Sequence, residues 1–305
     1  MVNNPPTSVR WLLMRNGAIG DTILLSSAIL AIREQYPCAW IELMGNKERM
    51  ELLTGAGLAD CAVSSEYKGV ESLFWMDVPI HPVLKEYLSA FDFIICYTAS
   101  KELALKERLQ VRQDQIVRIH PALPDAEGSI HASRHYLHAL DGLVPIDQLQ
   151  APRLSLTKAE IAAAQRRLDE LGIDRSRHFL LVLHAGAGSR AKQAPPPWFA
   201  HAAQALQRRW PLQILLTQGP ADGEAVESVL HFLGNSNVVL LQDEPLRSLA
   251  AILKQADLFI GNDSGVTHMA AAAGCPSLAI FTAANPAVWA PLGDHVRIVD
   301  ARLSV

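Results

Sequence analysis

Short apolar runs alternate with amphipathic segments of helical spacing along the whole chain of 305 residues. The apolar runs have the length of strands, and the strand candidates they indicate include Val9–Arg15, Phe91–Tyr97 and Phe179–His184. Because this alternation is typical of βαβ units, it predicts parallel sheets with helices on both faces. We therefore expect an α/β fold.

The segment Pro145–Pro152 interrupts this pattern, since it lacks helical spacing and contains two prolines. We place a domain boundary there, with residues 1–152 in a first lobe and residues 153–305 in a second. Each half has enough strand and helix candidates for a doubly wound, Rossmann-like lobe. Such lobes bind ligands beyond the carboxyl ends of their strands, so a ligand-binding cleft between the two lobes is expected.

Charge and composition exclude several classes of protein. The net charge is −4, and residues 1–150 carry 13 Lys and Arg against 18 Asp and Glu, without a basic stripe; nucleic acid is therefore not an expected partner. The apolar runs fall far short of the roughly 20 residues of a transmembrane segment. The first residues lack the apolar stretch of a secretion signal, and the 4 cysteines are scattered. These features predict a soluble, cytoplasmic protein.

The first candidate site follows the first strand and runs from Arg15 to Asp21. Gly17 and Gly20 allow a close approach of backbone to ligand, and a helix that begins here offers free N–H groups. Asp21 falls in or beside the first helical turn, where it is either a simple helix cap or a proton acceptor. The glycine spacing differs from the G-x-G-x-x-G of dinucleotide-binding folds, and a carboxylate there disfavours a bound pyrophosphate.

The second candidate site is the loop His184–Lys192, which follows the first strong strand of the second lobe. Small residues, the Ser189 hydroxyl and two cations, Arg190 and Lys192, form a pattern that suits phosphate binding. A flexible, solvated loop is the alternative interpretation.

The third candidate site, Gly261–His268, lies between a strand and an alanine-rich helix. We predict that Asp263 and Ser264 cap this helix and that His268, four residues after Ser264, faces the same side. A capped helix with an incidental histidine is the alternative. No second His or Cys stands at ligand spacing, so no metal site is predicted, and no G-x-S-x-G sequence supports a serine hydrolase.

Together these motifs resemble glycosyltransferase family 9, the heptosyltransferases of lipopolysaccharide core assembly. The resemblance covers nearly the whole chain, with motifs in the family's order. It rests on four segments: Gly17–Asp21, the His184–Lys192 loop, Gln218–Pro220 with Glu224, and Asp263–Ala272 with the following Gly274, Pro276, Phe281, Pro286 and Pro291.

The resemblance implies a GT-B architecture, with an acceptor-binding lobe at residues 1–152 and a nucleotide-sugar-binding lobe at residues 153–305. It implies an inverting, metal-independent transfer without a cofactor, from ADP-heptose to a lipopolysaccharide-core or related glycan acceptor. That acceptor lies at the inner membrane surface, so a peripheral position at the membrane is an alternative to a purely cytoplasmic one.

The resemblance also implies roles for individual residues. Asp21 corresponds to the general base, on a loop with Arg15, Gly17 and Gly20 that faces the acceptor. The donor would be bound by residues of the second lobe: Ser189 and Lys192 at the diphosphate, Glu224 near the ribose, and Asp263, Ser264, Gly265 and His268 at the sugar or phosphates. A local basic cluster that compensates for the acidic first lobe could include Arg15, Lys47, Arg49, Lys101 and Lys106. Solvated surface charges are the alternative interpretation for most of them.

Two other functions stay open on the sequence alone. One is a sugar-nucleotide epimerase or hydrolase of the same architecture, and the other is a sugar-nucleotide-binding protein with little or no activity. The family usually has a Trp-Pro pair after the loop lysine, whereas Lys192 is followed by Gln193-Ala194-Pro195.

Overall fold

A computed structural model describes residues 9–75, 77–99, 103–126, 128–234 and 238–303. Apart from one short segment, the chain divides between Gln150 and Ala151 into two compact units. The short segment Ala126–His131 belongs to the second unit, where the His131 ring lies 2.7 Å from the Ala290 carbonyl oxygen. The assignment of acceptor and donor binding to residues 1–152 and 153–305 stays a prediction.

The first unit contains a parallel sheet of five strands in the order β3-β2-β1-β4-β5. Its strands are β1 (Arg10–Arg15), β2 (Trp40–Gly45), β3 (Cys61–Ser64), β4 (Phe93–Thr98) and β5 (Ile116–Pro121). Its helices are α1 (Ile19–Leu24), α2 (Ser26–Gln35), α3 (Lys47–Glu51), α4 (Pro82–Ser89), α5 (Leu103–Leu109) and α6 (Ala132–His138). A short 3₁₀ helix spans Val70–Leu73.

The second unit contains a parallel sheet of six strands in the order β11-β10-β9-β6-β7-β8. Its strands are β6 (Phe179–His184), β7 (Leu212–Gln218), β8 (Val238–Gln242), β9 (Leu258–Asn262), β10 (Ser277–Phe281) and β11 (Val296–Asp300). Its helices are α7 (Lys158–Glu170), α8 (Pro196–Gln207), α9 (Gly223–Leu233), α10 (Leu246–Leu253), α11 (Gly265–Ala272) and α12 (Pro286–Trp289). Short 3₁₀ helices span Arg190–Lys192 and Ala301–Leu303.

The central strands of both sheets are buried on two faces, which explains why their sequences are largely apolar. In the first unit Trp11 is fully buried and stacks on Phe93 of the neighbouring strand, with ring centroids 4.0 Å apart. In the second unit all four residues Leu180–Leu183 at the centre of β6 are fully buried. The two parallel sheets and the helices between their strands confirm the predicted α/β class. The candidate loops extend from the ends of these buried strands.

The structure differs from the predicted elements of the first unit in two respects. The amphipathic sequence of Asp21–Gln35 predicts a single helix, but the structure breaks it at Leu25 into α1 and α2. The Ser26 hydroxyl donates to the Ile23 carbonyl oxygen at 2.7 Å. Such a bond back to the preceding turn competes with regular helical pairing. Strand β3 and helix α4 lack sequence signals strong enough to predict, because β3 has only four half-buried residues and α4 has only two buried ones.

Within the described residues, no helix combines the length and apolar character that crossing a membrane requires.

Candidate active site

In the first unit, the strand order reverses between β1 and β4. A doubly wound sheet has a crevice at this point, at the carboxyl ends of its strands. Arg15 is the last residue of β1, and its side chain is 1% exposed. Its Nη1 donates to the Ala122 carbonyl oxygen at 2.5 Å, and its Nη2 donates to the Tyr136 hydroxyl at 2.8 Å. The predicted loop therefore begins at a buried, hydrogen-bonded cation.

Asp21 lies in the first turn of α1, as the sequence predicts. Its Oδ2 accepts from the backbone N–H of Ala18 at 3.1 Å and lies 3.4 Å from Arg15 Nη2. The side chain is 17% exposed. Asp21 is thus both a helix-terminal acceptor and a partly exposed carboxylate beside a buried cation, so the cap interpretation and the catalytic interpretation are compatible.

Gly17 and Gly20 occupy the loop and helix start as expected. A Cβ at Gly17 would lie 3.1 Å from Arg15 Nη2 and from Asp21 Cβ, which leaves little room for a side chain. Arg49 on α3 donates to the Gly17 carbonyl oxygen at 2.7 Å, so one member of the predicted basic cluster contacts this loop. Lys101 lies outside the described residues.

In the second unit, the reversal of strand order falls between β6 and β9. The loops after β6, β7 and β9 all begin at this carboxyl edge, and they contain the donor-side residues named from the sequence. Asn262, fully buried at the end of β9, accepts from Ala194 N at 2.9 Å and donates to the Ala185 carbonyl oxygen at 2.7 Å. One side chain therefore fixes both ends of the loop between Ala185 and Ala194.

The structure brings Lys192 and Asp263 together, with Nζ 2.7 Å from Oδ2. The Asp263 side chain is 6% exposed and the Lys192 side chain 36%, so the ammonium group lies at the edge of the protein and the carboxylate beneath it. A buried carboxylate requires such a partner because removal from water is costly for a charge. Ser189 precedes the 3₁₀ turn that carries Lys192 and is exposed.

Ser264 is the N-cap of α11, and its hydroxyl accepts from the Thr267 backbone N–H at 3.3 Å. Gly265 is the first residue of that helix, where backbone N–H groups have no partner within the helix. His268, one turn into the helix, is buried, and its backbone N–H donates to the Ser264 carbonyl oxygen at 3.3 Å. The predicted cap is therefore Ser264, and Asp263 serves instead as the partner of Lys192.

Asp222 is a site residue that the sequence reasoning missed. Its Oδ2 accepts from Gly219 N at 2.8 Å and lies 4.0 Å from His184 Nε2. A Cβ at Gly186 would lie 2.0 Å from Asp222 Oδ1, so only glycine leaves room for this carboxylate. Asp222 thereby holds the loops after β6 and β7 against each other. The sequence feature that could have indicated Asp222 is the turn motif Gly219-Pro220-Ala221-Asp222, which directly precedes a helix.

His184 is buried at the end of β6, and its Nδ1 lies 3.0 Å from the Thr217 hydroxyl oxygen. Burial lowers the pKa of His184, while the neighbouring Asp222 carboxylate acts in the opposite direction. Burial therefore keeps the His184 ring predominantly neutral. Its contact with Thr217 joins the ends of β6 and β7.

Glu224, the second residue of α9, pairs with Arg190 across 3.2 Å. Their side chains are 79% and 86% exposed, so solvent screening makes the pair weak. Both residues border a cavity of about 230 Å³ whose other lining residues include Ala185, Gln193, Pro195 and Ser228. The structure thus places Glu224 beside Arg190 of the Ser189–Lys192 turn.

Across the described part of the chain, no three His, Cys, Asp or Glu side chains come together in a group that could hold a metal ion.

Comparison with known proteins gives concordant results. The sequence profile of glycosyltransferase family 9 (heptosyltransferase) matches residues 112–304. Lipopolysaccharide heptosyltransferase 3 of Escherichia coli is 22% identical over 296 residues, which cover 91% of this chain and 83% of that protein.

Two solved structures have the same fold. A family 9 glycosyltransferase of Veillonella parvula superposes with a TM-score of 0.78 at 18% identity, covering 97% of this chain and 88% of that one. The ADP-heptose lipopolysaccharide heptosyltransferase II of Escherichia coli gives a TM-score of 0.73 at 19% identity, covering 95% and 90%. These likenesses confirm the predicted GT-B type of α/β fold.

Because the family profile matches more than half of the sequence, the chain belongs to glycosyltransferase family 9. It is a glycosyltransferase. The resemblance inferred from the motifs is therefore confirmed, whereas the roles of the individual site residues stay predictions.

Proposed function

We propose that the protein transfers heptose from ADP-heptose to a lipopolysaccharide-core or related glycan acceptor, with inversion at the anomeric carbon and without a metal ion. The names of the relatives support the class of donor and acceptor. The observation that carries the proposal is Asp21, a partly exposed carboxylate held by a buried arginine at the crevice of the first sheet. Such a group suits the removal of a proton from a neutral hydroxyl.

The reaction is a single in-line displacement. The acceptor hydroxyl oxygen attacks the anomeric carbon, its proton passes to Asp21, and the bond from the anomeric carbon to the diphosphate oxygen breaks. ADP leaves with that electron pair, so negative charge grows on the diphosphate as the bond lengthens. One displacement inverts the configuration, in contrast to a double displacement through a covalent intermediate.

Metal independence is proposed because this chain has its own positive groups for the leaving diphosphate. Lys192 lies at the protein edge beside Asp263, and the first turn of α11 offers backbone N–H groups at Gly265. A cation and a helix N-terminus both stabilise phosphate charge. In the proposed complex, the Lys192 ammonium group is shared between the Asp263 carboxylate and the diphosphate.

The test is a transfer assay with ADP-heptose and a lipid A–Kdo acceptor. We expect release of ADP only when the acceptor is present, an inverted linkage in the product and full activity in EDTA. ADP release without acceptor would instead indicate a hydrolase, and tight ADP binding without turnover would indicate a binding protein. Loss of activity in EDTA that added magnesium restores would contradict metal independence.

Replacement of Lys192 by Ala is expected to weaken ADP binding about tenfold while adenosine binding changes little, because one charge-assisted contact to phosphate is lost. Calorimetric titration of both ligands measures this difference. Lys254→Ala, at the C-cap of α10 in the same unit, is the control for loss of one positive charge. An equal loss of affinity for ADP and adenosine would place Lys192 outside the phosphate site.

A further inference from the structure

Tyr136 on α6 is a fully buried residue whose hydroxyl group lies beside the cation that contacts the candidate base. Its hydroxyl oxygen accepts from Arg15 Nη2 at 2.8 Å, and its ring lies 4.7 Å from the Arg15 guanidinium carbon. Tyr136 therefore makes two different contacts with one cation, a hydrogen bond at its edge and a cation–π contact at its face.

The same Arg15 nitrogen also lies 3.4 Å from Asp21 Oδ2. Nη1 is fixed separately by the Ala122 carbonyl oxygen, so the guanidinium plane has little freedom to rotate. A planar group held at several points determines the direction in which its remaining contact is made. The orientation of the Asp21 carboxylate thus depends on the position of Arg15, and that position depends on Tyr136.

Tyr136 is itself held from strand β4. The Tyr97 hydroxyl donates to the Tyr136 carbonyl oxygen at 2.8 Å, and the two rings meet edge to face with centroids 5.5 Å apart. Burial, together with the negative charge of Asp21, raises the pKa of Tyr136 against the opposing effect of the Arg15 cation. The hydroxyl is therefore neutral, and because its oxygen accepts from Arg15, its proton can be donated to the neighbouring Asp21 carboxylate.

We propose that Tyr136 is a positioning residue, which acts through the Arg15 guanidinium to fix the orientation of the Asp21 carboxylate for proton removal. The inference rests on the proposed function of Asp21 as base. Tyr136 reaches the reacting atoms only through Arg15 and Asp21, so its loss affects turnover and leaves donor binding unchanged.

The test is a double-mutant cycle with Tyr136→Phe, which keeps the ring beneath the guanidinium and removes only the hydroxyl. We expect kcat to fall about fivefold to tenfold in the otherwise unchanged enzyme, because a misplaced base reacts more slowly. In an Asp21→Asn background the same substitution is expected to have no further effect, since Tyr136 acts only through Asp21. ADP affinity should be equal in all four proteins.

Tyr87→Phe on α4 is the matched control, because it removes a tyrosine hydroxyl of the same unit that donates to Glu42 and has no bond to Arg15 or Tyr136 among the described residues. It should lower the melting temperature about as much as Tyr136→Phe does and change kcat less than about twofold. Equal effects of the two substitutions on kcat, or an equal effect of Tyr136→Phe in both backgrounds, would overturn the positioning role. If Asp21→Asn itself left turnover unchanged, the proposed base would be wrong and the positioning role would fall with it.

Discussion

Asp21→Asn is expected to lower kcat by at least about a hundredfold, the lower range for loss of a general base. Donor affinity should hardly change, because Asp21 serves the acceptor hydroxyl rather than ADP-heptose. The substitution is conservative for the fold, since an asparagine oxygen still accepts from the Ala18 N–H that Asp21 Oδ2 now contacts. Steady-state kinetics with saturating acceptor, together with calorimetric titration of ADP, measure the two quantities.

Glu86→Gln, on the exposed surface of α4, controls for the loss of one negative charge from the same unit. It should leave both kcat and ADP affinity unchanged. A fall in ADP affinity as large as the fall in turnover for Asp21→Asn would contradict the assignment of Asp21 as base. In Asp21→Asn the buried Arg15 loses the charge of its partner. The melting temperatures of both variants show whether this loss destabilises the first unit.

Gly186→Ala is expected to weaken ADP binding by about tenfold to a hundredfold, corresponding to the roughly 1–3 kcal/mol of an overpacked site. The added Cβ would lie 2.0 Å from Asp222 Oδ1, so either the carboxylate or the loop must move. Movement of Asp222 breaks its 2.8 Å hydrogen bond from Gly219 N. Movement of the loop displaces Lys192, which follows six residues later in the same segment.

Gly188→Ala makes the same chemical change in the same loop, where a Cβ would meet nothing within 4 Å. This control should bind ADP within about twofold of the unchanged protein. Asp222→Ala in combination with Gly186→Ala should recover part of the affinity, because it removes the atoms of the clash. If Gly186→Ala and Gly188→Ala weaken ADP binding equally, loop flexibility rather than the Asp222 contact determines donor binding.

Much of the fold was predictable because its signals are local. Runs such as Phe179–Leu183 are apolar at every position, which is typical of strands covered on both faces. The four residues of β3, by contrast, are only half-buried, so their sequence differs little from that of a loop. The break at Leu25 was not predicted because the apolar spacing continues through it, while the Ser26 hydroxyl bonds back to the preceding turn.

The site was predictable in part for the same reason. Glycines, hydroxyl residues and charges immediately after strands point to the carboxyl edge of a sheet, where ligands of doubly wound lobes bind. Gly17, Asp21, Lys192 and Ser264 were predicted in this way, and the structure places all four at such edges. Asp222 was missed because its importance depends on Gly186, a residue 36 positions away in a different loop. No spacing rule within a single segment reports such a contact.

By itself, the sequence determined the α/β class, the two doubly wound halves and the family, because periodicity and strand-end motifs are properties of short segments. Only the tertiary structure decided what surrounds each charge. The partners of Arg15 include Ala122 and Tyr136, more than 100 residues away. Lys192 meets Asp263 from another strand end. A charge is stabilised by the atoms around it in space, and burial of Arg15 and Asp263 makes those partners obligatory.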